Sequence, residues 1–361
     1  MRGGGRRVCA VVVAAVCALL LSPPCCRRVR SDETRHGSNV SAVHFDSFTR
    51  QFHRDYEADG EECHRRRRYF RDATKRHAFL NSFSTAPQSA KYGINQFSDL
   101  SQKEFRDLYL RASSDRAPLF SGPKTDRLPA KFDWRDRAAV APVQNQLACG
   151  SCWAFSVVGA VQSAHAIGGS HVELLSVQQV LDCSFKNEGC NGGSPSRALN
   201  WLKQTGVKLV PQSEYPYKAK SGICHFFSQS HDGVSVKSFT AHDFGGQEEA
   251  MMGQLLERGP LTAVVDAVSW QDYQGGIIQH HCSSQWSNHA VLVVGYDATG
   301  QESSATLGPV KGIFHTGLCR TPGEPHGGTR ATFISKLVAT FVVLQILWQQ
   351  FFCNNIMYIC V

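Results

Sequence analysis

No apolar run near the amino terminus of this 361-residue chain is long enough to cross a bilayer. After an arginine-bearing start, the apolar stretch at residues 8–21 is fourteen residues long, where a spanning helix needs about 20. Small and turn-forming residues follow it, so residues 1–26 read as a secretory signal peptide. No nucleic-acid motif accompanies the basic excess. Lys+Arg 38 against Asp+Glu 30 gives a net charge of +8, but the arginines crowd into the amino-terminal third, and no nucleic-acid partner is expected. No second ligand pair at zinc spacing accompanies His280-His281-Cys282, so no metal is expected, and no organic cofactor is implied. Residues 337–361 lack any charged side chain. There Gln345, Gln349, Gln350, Asn354 and Asn355 speak against a membrane anchor.

What is present is long enough for a signal segment, a pro-region and one enzyme domain of two lobes, each with its own core. The 14 cysteines belong to a chain bound for an oxidising compartment, where disulfides are the default for most of them. The triplet Asn39-Val40-Ser41 makes Asn39 a glycosylation candidate on the same route.

Across residues 45–83 the apolar and aromatic residues recur at helical spacing. Glu62, Arg66, Phe70 and Asn81 fall at steps of four, four and eleven, on one helix face. Arg65 to Arg68 within it read as a solvated charged face. A short alternating segment follows at residues 92–100. Residues 113–127, with two prolines, read as a loose, cleavable linker.

The chemistry concentrates around Gln146-Leu147-Ala148-Cys149-Gly150-Ser151-Cys152-Trp153. A thiol attacks only as thiolate, and Cys152 opens an apolar helical run whose amino-terminal dipole favours negative charge there. Gln146 can offer its side-chain amide beside the Cys152 backbone N–H as an oxyanion hole. His289 stands at the head of an apolar run closed by Gly295 that reads as a buried strand, from which an imidazole could face a cleft. Gly192 and Gly193 leave backbone bare for an extended peptide to pair as an added strand.

These residues resemble the papain-like cysteine proteases, whose signature runs through Cys149-Gly150-Ser151-Cys152-Trp153 and whose histidine follows about 130–150 residues later. His289 is 137 residues on from Cys152. Residues 45–83 and 92–100 resemble the family's inhibitory pro-region, a helix with a spaced Glu/Arg/Phe/Asn pattern and then Asn-x-Phe-x-Asp. Ala73 and His77 stand where the family usually has Asn and Ile. The resemblance implies an α+β fold with a helical left lobe and a β-rich right lobe. It implies a pro-region at residues 27–127, which fills the cleft until acid or proteolysis releases it, and a peptidase domain at 128–297. It also implies disulfides Cys149–Cys190 and Cys183–Cys224, which leave Cys152 unpaired, a substrate-binding Gly193, a monomer acting on peptides and proteins, and a lysosomal or secreted location. The mechanism implied is amide hydrolysis by a Cys152–His289 pair with Gln146 on the oxyanion.

The resemblance ends near Asp297. The family's Asn-Ser-Trp-Gly motif, whose Asn orients the histidine, is missing, and no Asn occurs between Asp297 and Asn354. The closing strands are therefore expected to be absent, with an incomplete right lobe, no assigned partner for Cys282, and residues 298–361 as a divergent tail without an evolved role. Three readings stay open on the sequence alone. They are an active endopeptidase, a catalytically impaired or silent chain whose pro-region inhibits related proteases, and a truncated product that is degraded.

Overall fold

The structure is a computed structural model that describes residues 38–57, 60–84, 87, 89–125, 127–225, 233–278, 287–298, 304–308 and 338–345. The signal segment, His280, His281, Cys282 and Cys319 lie outside the described residues, as does the side chain of Asn39. The chain divides into two units, residues 1–73 and 74–361.

In the first unit, α1 (Ser38–Gln51) is followed by the start of α2 (Glu61–Asn81). The single helix expected over 45–83 is thus two. His53 takes a left-handed φ of 50°, and the N–H of Gly60 turns back onto the Glu57 carbonyl at 3.1 Å. The aromatic recurrence comes from two helices facing each other: Phe70 of α2 packs on Phe45 and Phe48 of α1, ring centroids 5.5 and 4.9 Å apart. Nor are the arginines simply solvated. Arg66 donates to Glu62 at 2.6 Å, and Arg67 lies over the Phe45 ring at 5.5 Å.

The second unit takes in the last turns of α2, then β1 (Lys91–Tyr92) and α3 (Gln102–Tyr109). Ser101 and Glu104 close a reciprocal capping box at the start of α3. The alternating segment makes a strand only as far as Tyr92. Beyond it, the Asn95 side chain accepts from the Phe97 N–H at 2.9 Å and bends the chain into a turn, as Asn does when it competes with a ladder.

Next come β2 (Lys131–Asp133), α4 (Cys152–Ile167), α5 (Val177–Cys183), α6 (Pro195–Thr205), β3 (Lys208–Leu209) and β4 (Val234–Asp243). Helix α4 is buried from Cys152 to Val158. With Leu175, Val180, Leu199, Trp201 and Leu202, it centres one apolar core, as a helix apolar on all sides must. The remaining elements are α7 (Glu248–Arg258), β5 (Leu261–Val265), β6 (Tyr273–Gly275), β7 (His289–Asp297), β8 (Ser304–Gly308) and β9 (Val338–Gln345). A second core joins Phe132, Trp134, Leu255, Leu261, Trp270, Val293 and Tyr296.

Strand β7 pairs antiparallel with β5, with β2 and with β8. Strand β9 pairs antiparallel with both β4 and β5. Two strands thus come from beyond Asp297, and the Val338-Ala339-Thr340-Phe341-Val342-Val343-Leu344 run of β9 has the β-branched and apolar character that a sheet accommodates.

Candidate active site

Cys152 is the first residue of α4, and Ser151 before it makes no side-chain cap. The helix amino terminus is directed at the thiol instead. Cys152 is fully buried, and burial pushes the thiol up from its ordinary value, outweighing the opposing effect of the backbone groups of Ala290, Arg111, Trp153 and Ala112. Among the described residues it is the free cysteine. Cys149 is bonded to Cys190 and Cys183 to Cys224.

His289 opens β7, where pairing with Val265 of β5 sets its position. Its ring meets the Trp270 indole edge to face at 5.9 Å. Burial drives the imidazole down to about 4, with a hydrogen bond to the Tyr109 backbone opposing. Burial thus disfavours the charged form of both groups in this closed state.

Gln146 differs from expectation in the same way. Its side-chain amide donates to the Cys149 carbonyl at 2.8 Å and the Tyr109 carbonyl at 3.1 Å. The Gln146 carbonyl in turn accepts from the Tyr217 hydroxyl at 2.7 Å. The side-chain amide expected to serve an oxyanion is thus bonded to the Tyr109 carbonyl.

The bare glycine backbone pairs with residues 111–113. The Gly193 N–H donates to the Arg111 carbonyl at 3.1 Å, and the Ser113 N–H to the Gly193 carbonyl at 2.9 Å, a parallel bridge centred on Ala112. A Cβ at Gly193 would stand 2.7 Å from the Trp153 ring. Gly192 has a φ of +126°, and a Cβ there would stand 2.4 Å from the Arg111 carbonyl. Gly192 must be glycine to admit a chain this close, whereas Gly193 must be glycine to fit against Trp153 and Asn187.

Residues 113–127 are accordingly not a loose linker. Besides Ser113, the Phe120 N–H donates to the Asp243 carbonyl at 2.9 Å, and the Phe120 ring stacks on Phe244 at 4.9 Å. Farther out, the buried Asp272 accepts from Arg76 Nε at 2.8 Å and Nη2 at 3.0 Å and bonds His77 Nε2 at 3.0 Å. Asn81 exchanges two hydrogen bonds with the Tyr92 backbone. Sequence reasoning missed Tyr109, Arg111 and Ala112, which act through backbone groups that leave no side-chain signature. It also passed over Trp270, whose aromatic ring was the available signal.

Residues 128–306 match the papain family cysteine protease domain, and residues 45–105 the cathepsin propeptide inhibitor domain. Human cathepsin O is 56% identical over 238 residues, covering 64% of this chain and 74% of that protein. The mouse cathepsin O is 55% identical over 236 residues, covering 64% and 75%. The likeness to cathepsin O was also expected from the variant segments 176–183, 268–273 and 275–282. Among solved structures, a recombinant stem bromelain precursor superposes with a TM-score of 0.70 at 27% identity, covering 84% of this chain and 98% of that one. The chain belongs to the papain family of cysteine proteases and carries that family's propeptide inhibitor domain.

Proposed function

We propose that the chain is the zymogen of a cysteine endopeptidase in which Cys152 is the nucleophile, His289 the base and then the acid, and Gln146 the oxyanion donor. One observation carries this reading: the Cys152 sulfur, the Gln146 amide and the His289 ring all bond to the same short stretch, residues 109–112. A peptide drawn past Gly192 and Gly193 would meet the same three groups once that stretch leaves.

In the opened cleft the Cys152 proton passes to His289, and the thiolate attacks the peptide carbonyl carbon. The resulting oxyanion is held by the Gln146 amide and the Cys152 N–H. Collapse expels the amine, which takes its proton from His289⁺, and leaves a thioester. His289 then deprotonates water, which hydrolyses the thioester and restores the thiol.

The domain boundaries proposed are a signal peptide at 1–26, a pro-region at 27–127, a peptidase domain at 128–297 and a tail at 298–361. The route proposed is secretory, ending in the lysosome or outside the cell, with the enzyme a monomer. Among the described residues no helix is long and apolar enough to cross a membrane.

A second reading rests on the absence of any Asn between Asp297 and Asn354. Under it the peptidase is impaired and the pro-region serves as an inhibitor of related proteases, or the chain is degraded. Full-length chain secreted from a eukaryotic host, acidified and given a fluorogenic peptide separates the two. Hydrolysis that Cys152→Ala abolishes supports the peptidase; soluble, folded protein with no hydrolysis favours the second reading.

A further inference from the structure

The stretch lying along Gly193 continues to Asp115, whose carboxylate ends at the amino terminus of α6. Ser194, the N-cap of that helix, donates its hydroxyl to Asp115 Oδ2 at 2.6 Å, and Arg197 Nε stands 3.8 Å from Oδ1. The mature domain itself sets both partners. The Ser194 N–H donates to Asn187 Oδ1 at 2.8 Å, Ser194 is fully buried, and Arg197 Nη1 donates to the Lys186 carbonyl at 3.0 Å. Arg197 Nη2 reaches on to Ser113 Oγ at 2.7 Å.

The polarity of this cluster is one-sided. Ser194 Oγ already accepts from the Arg197 N–H of α6 at 3.4 Å, so its single proton is left to donate outward and calls for an acceptor. A guanidinium and a helix amino terminus add positive potential at the same point. The carboxylate found there arrives on backbone that pairs with Gly193, as a bound peptide would.

We propose that Ser194 and Arg197 form a subsite selecting an Asp or Glu side chain in the peptides this enzyme cleaves, with Asp115 as its occupant in the zymogen. This rests on the peptidase reading above. Arg197 is partly exposed, so salt weakens its charge–charge share, and the buried Ser194 hydroxyl fixes where the carboxylate sits.

Two arms test it. Acid-matured full-length chain is treated with paired peptidyl epoxides that differ only in Asp against Asn at successive positions of the peptide. At one position the Asp probe should label Cys152 about tenfold faster, as a charged hydrogen bond allows, and Ser194→Ala or Arg197→Gln should bring the ratio near one. Equal rates at every position overturn the subsite. No labelling by any probe overturns the peptidase reading instead, and the second arm then decides carboxylate recognition. In full-length Cys152→Ala zymogen, Asp115→Asn and Arg197→Gln should each speed amide exchange across residues 111–113 about tenfold, and the double variant no further. Unchanged exchange in both single variants overturns the proposal.

Discussion

The side-chain amide of Gln146 donates to the backbone carbonyl of Tyr109 at 3.1 Å, and that carbonyl also receives the His289 ring. A single pro-segment oxygen therefore engages both the proposed oxyanion donor and the proposed base. Once the segment is gone, Gln146→Ala should lower kcat about 100-fold with KM nearly unchanged, since the amide acts on charge that develops only in the transition state. Steady-state kinetics on matured chain measure it, and an unaltered kcat removes Gln146 from the mechanism.

Acid should open the cleft. In the closed chain the His289 imidazole sits at about 4, below its ordinary 6.5. Between those values an opened chain whose Cys152 is replaced by Ala, so that no thiolate pairs with the imidazole, binds more protons than the closed one. Closure therefore weakens as pH falls from 6.5 to 4, by about 3 kcal/mol at most, and is unaffected by this group above 6.5. Amide exchange at residues 111–113, corrected for intrinsic rates, should accelerate through that window, and His289→Gln should flatten the profile. Equal protection at pH 4.5 and pH 7 contradicts this.

Asp272 should anchor the zymogen and not the matured enzyme. It is 1% exposed, and the groups that fill its acceptor sites, Arg76 and His77, belong to the proposed pro-region. Replacing Asp272 by Ala leaves these groups without their acceptor, a loss of about 3 kcal/mol. Thermal melts before and after maturation read the difference: the zymogen Tm should fall and the matured Tm should barely move.

Cys152, His289 and Gln146 were legible in the sequence because their chemistry lies in side chains held in a short motif and a fixed separation. The closing segment was not, since Tyr109, Arg111 and Ala112 contribute carbonyls and N–H groups that every residue possesses. His77 was visible as a departure from the family's usual Ile, but its partner Asp272 is 195 residues away, beyond any local pattern. The two facing helices of residues 38–81 look like one because Phe45, Phe48 and Phe70 share a spacing compatible with a single face. The strands beyond Asp297 were not legible for a different reason. Strands β8 and β9 are backbone pairings, which a sequence without the family motif can still supply.

Strand β9 lies between β4 and β5, so it is a structural member of the sheet. A stop after residue 337 should leave two long unpaired edges and yield aggregated protein. Soluble, monodisperse truncated chain, judged by light scattering, would show that β9 is dispensable.

In the proposed zymogen, residues 109–112 keep Cys152 and His289 from forming the reactive pair, and their departure releases it. The direct measurement is the rate of Cys152 modification by a small alkylating agent as a function of pH, before and after acid maturation, with Cys152→Ala as the blank. The account predicts negligible reaction in the intact chain below pH 7, rising only above the ordinary thiol range, and a plateau at pH 5 to 7 after maturation. The same acid plateau in the intact chain would contradict it.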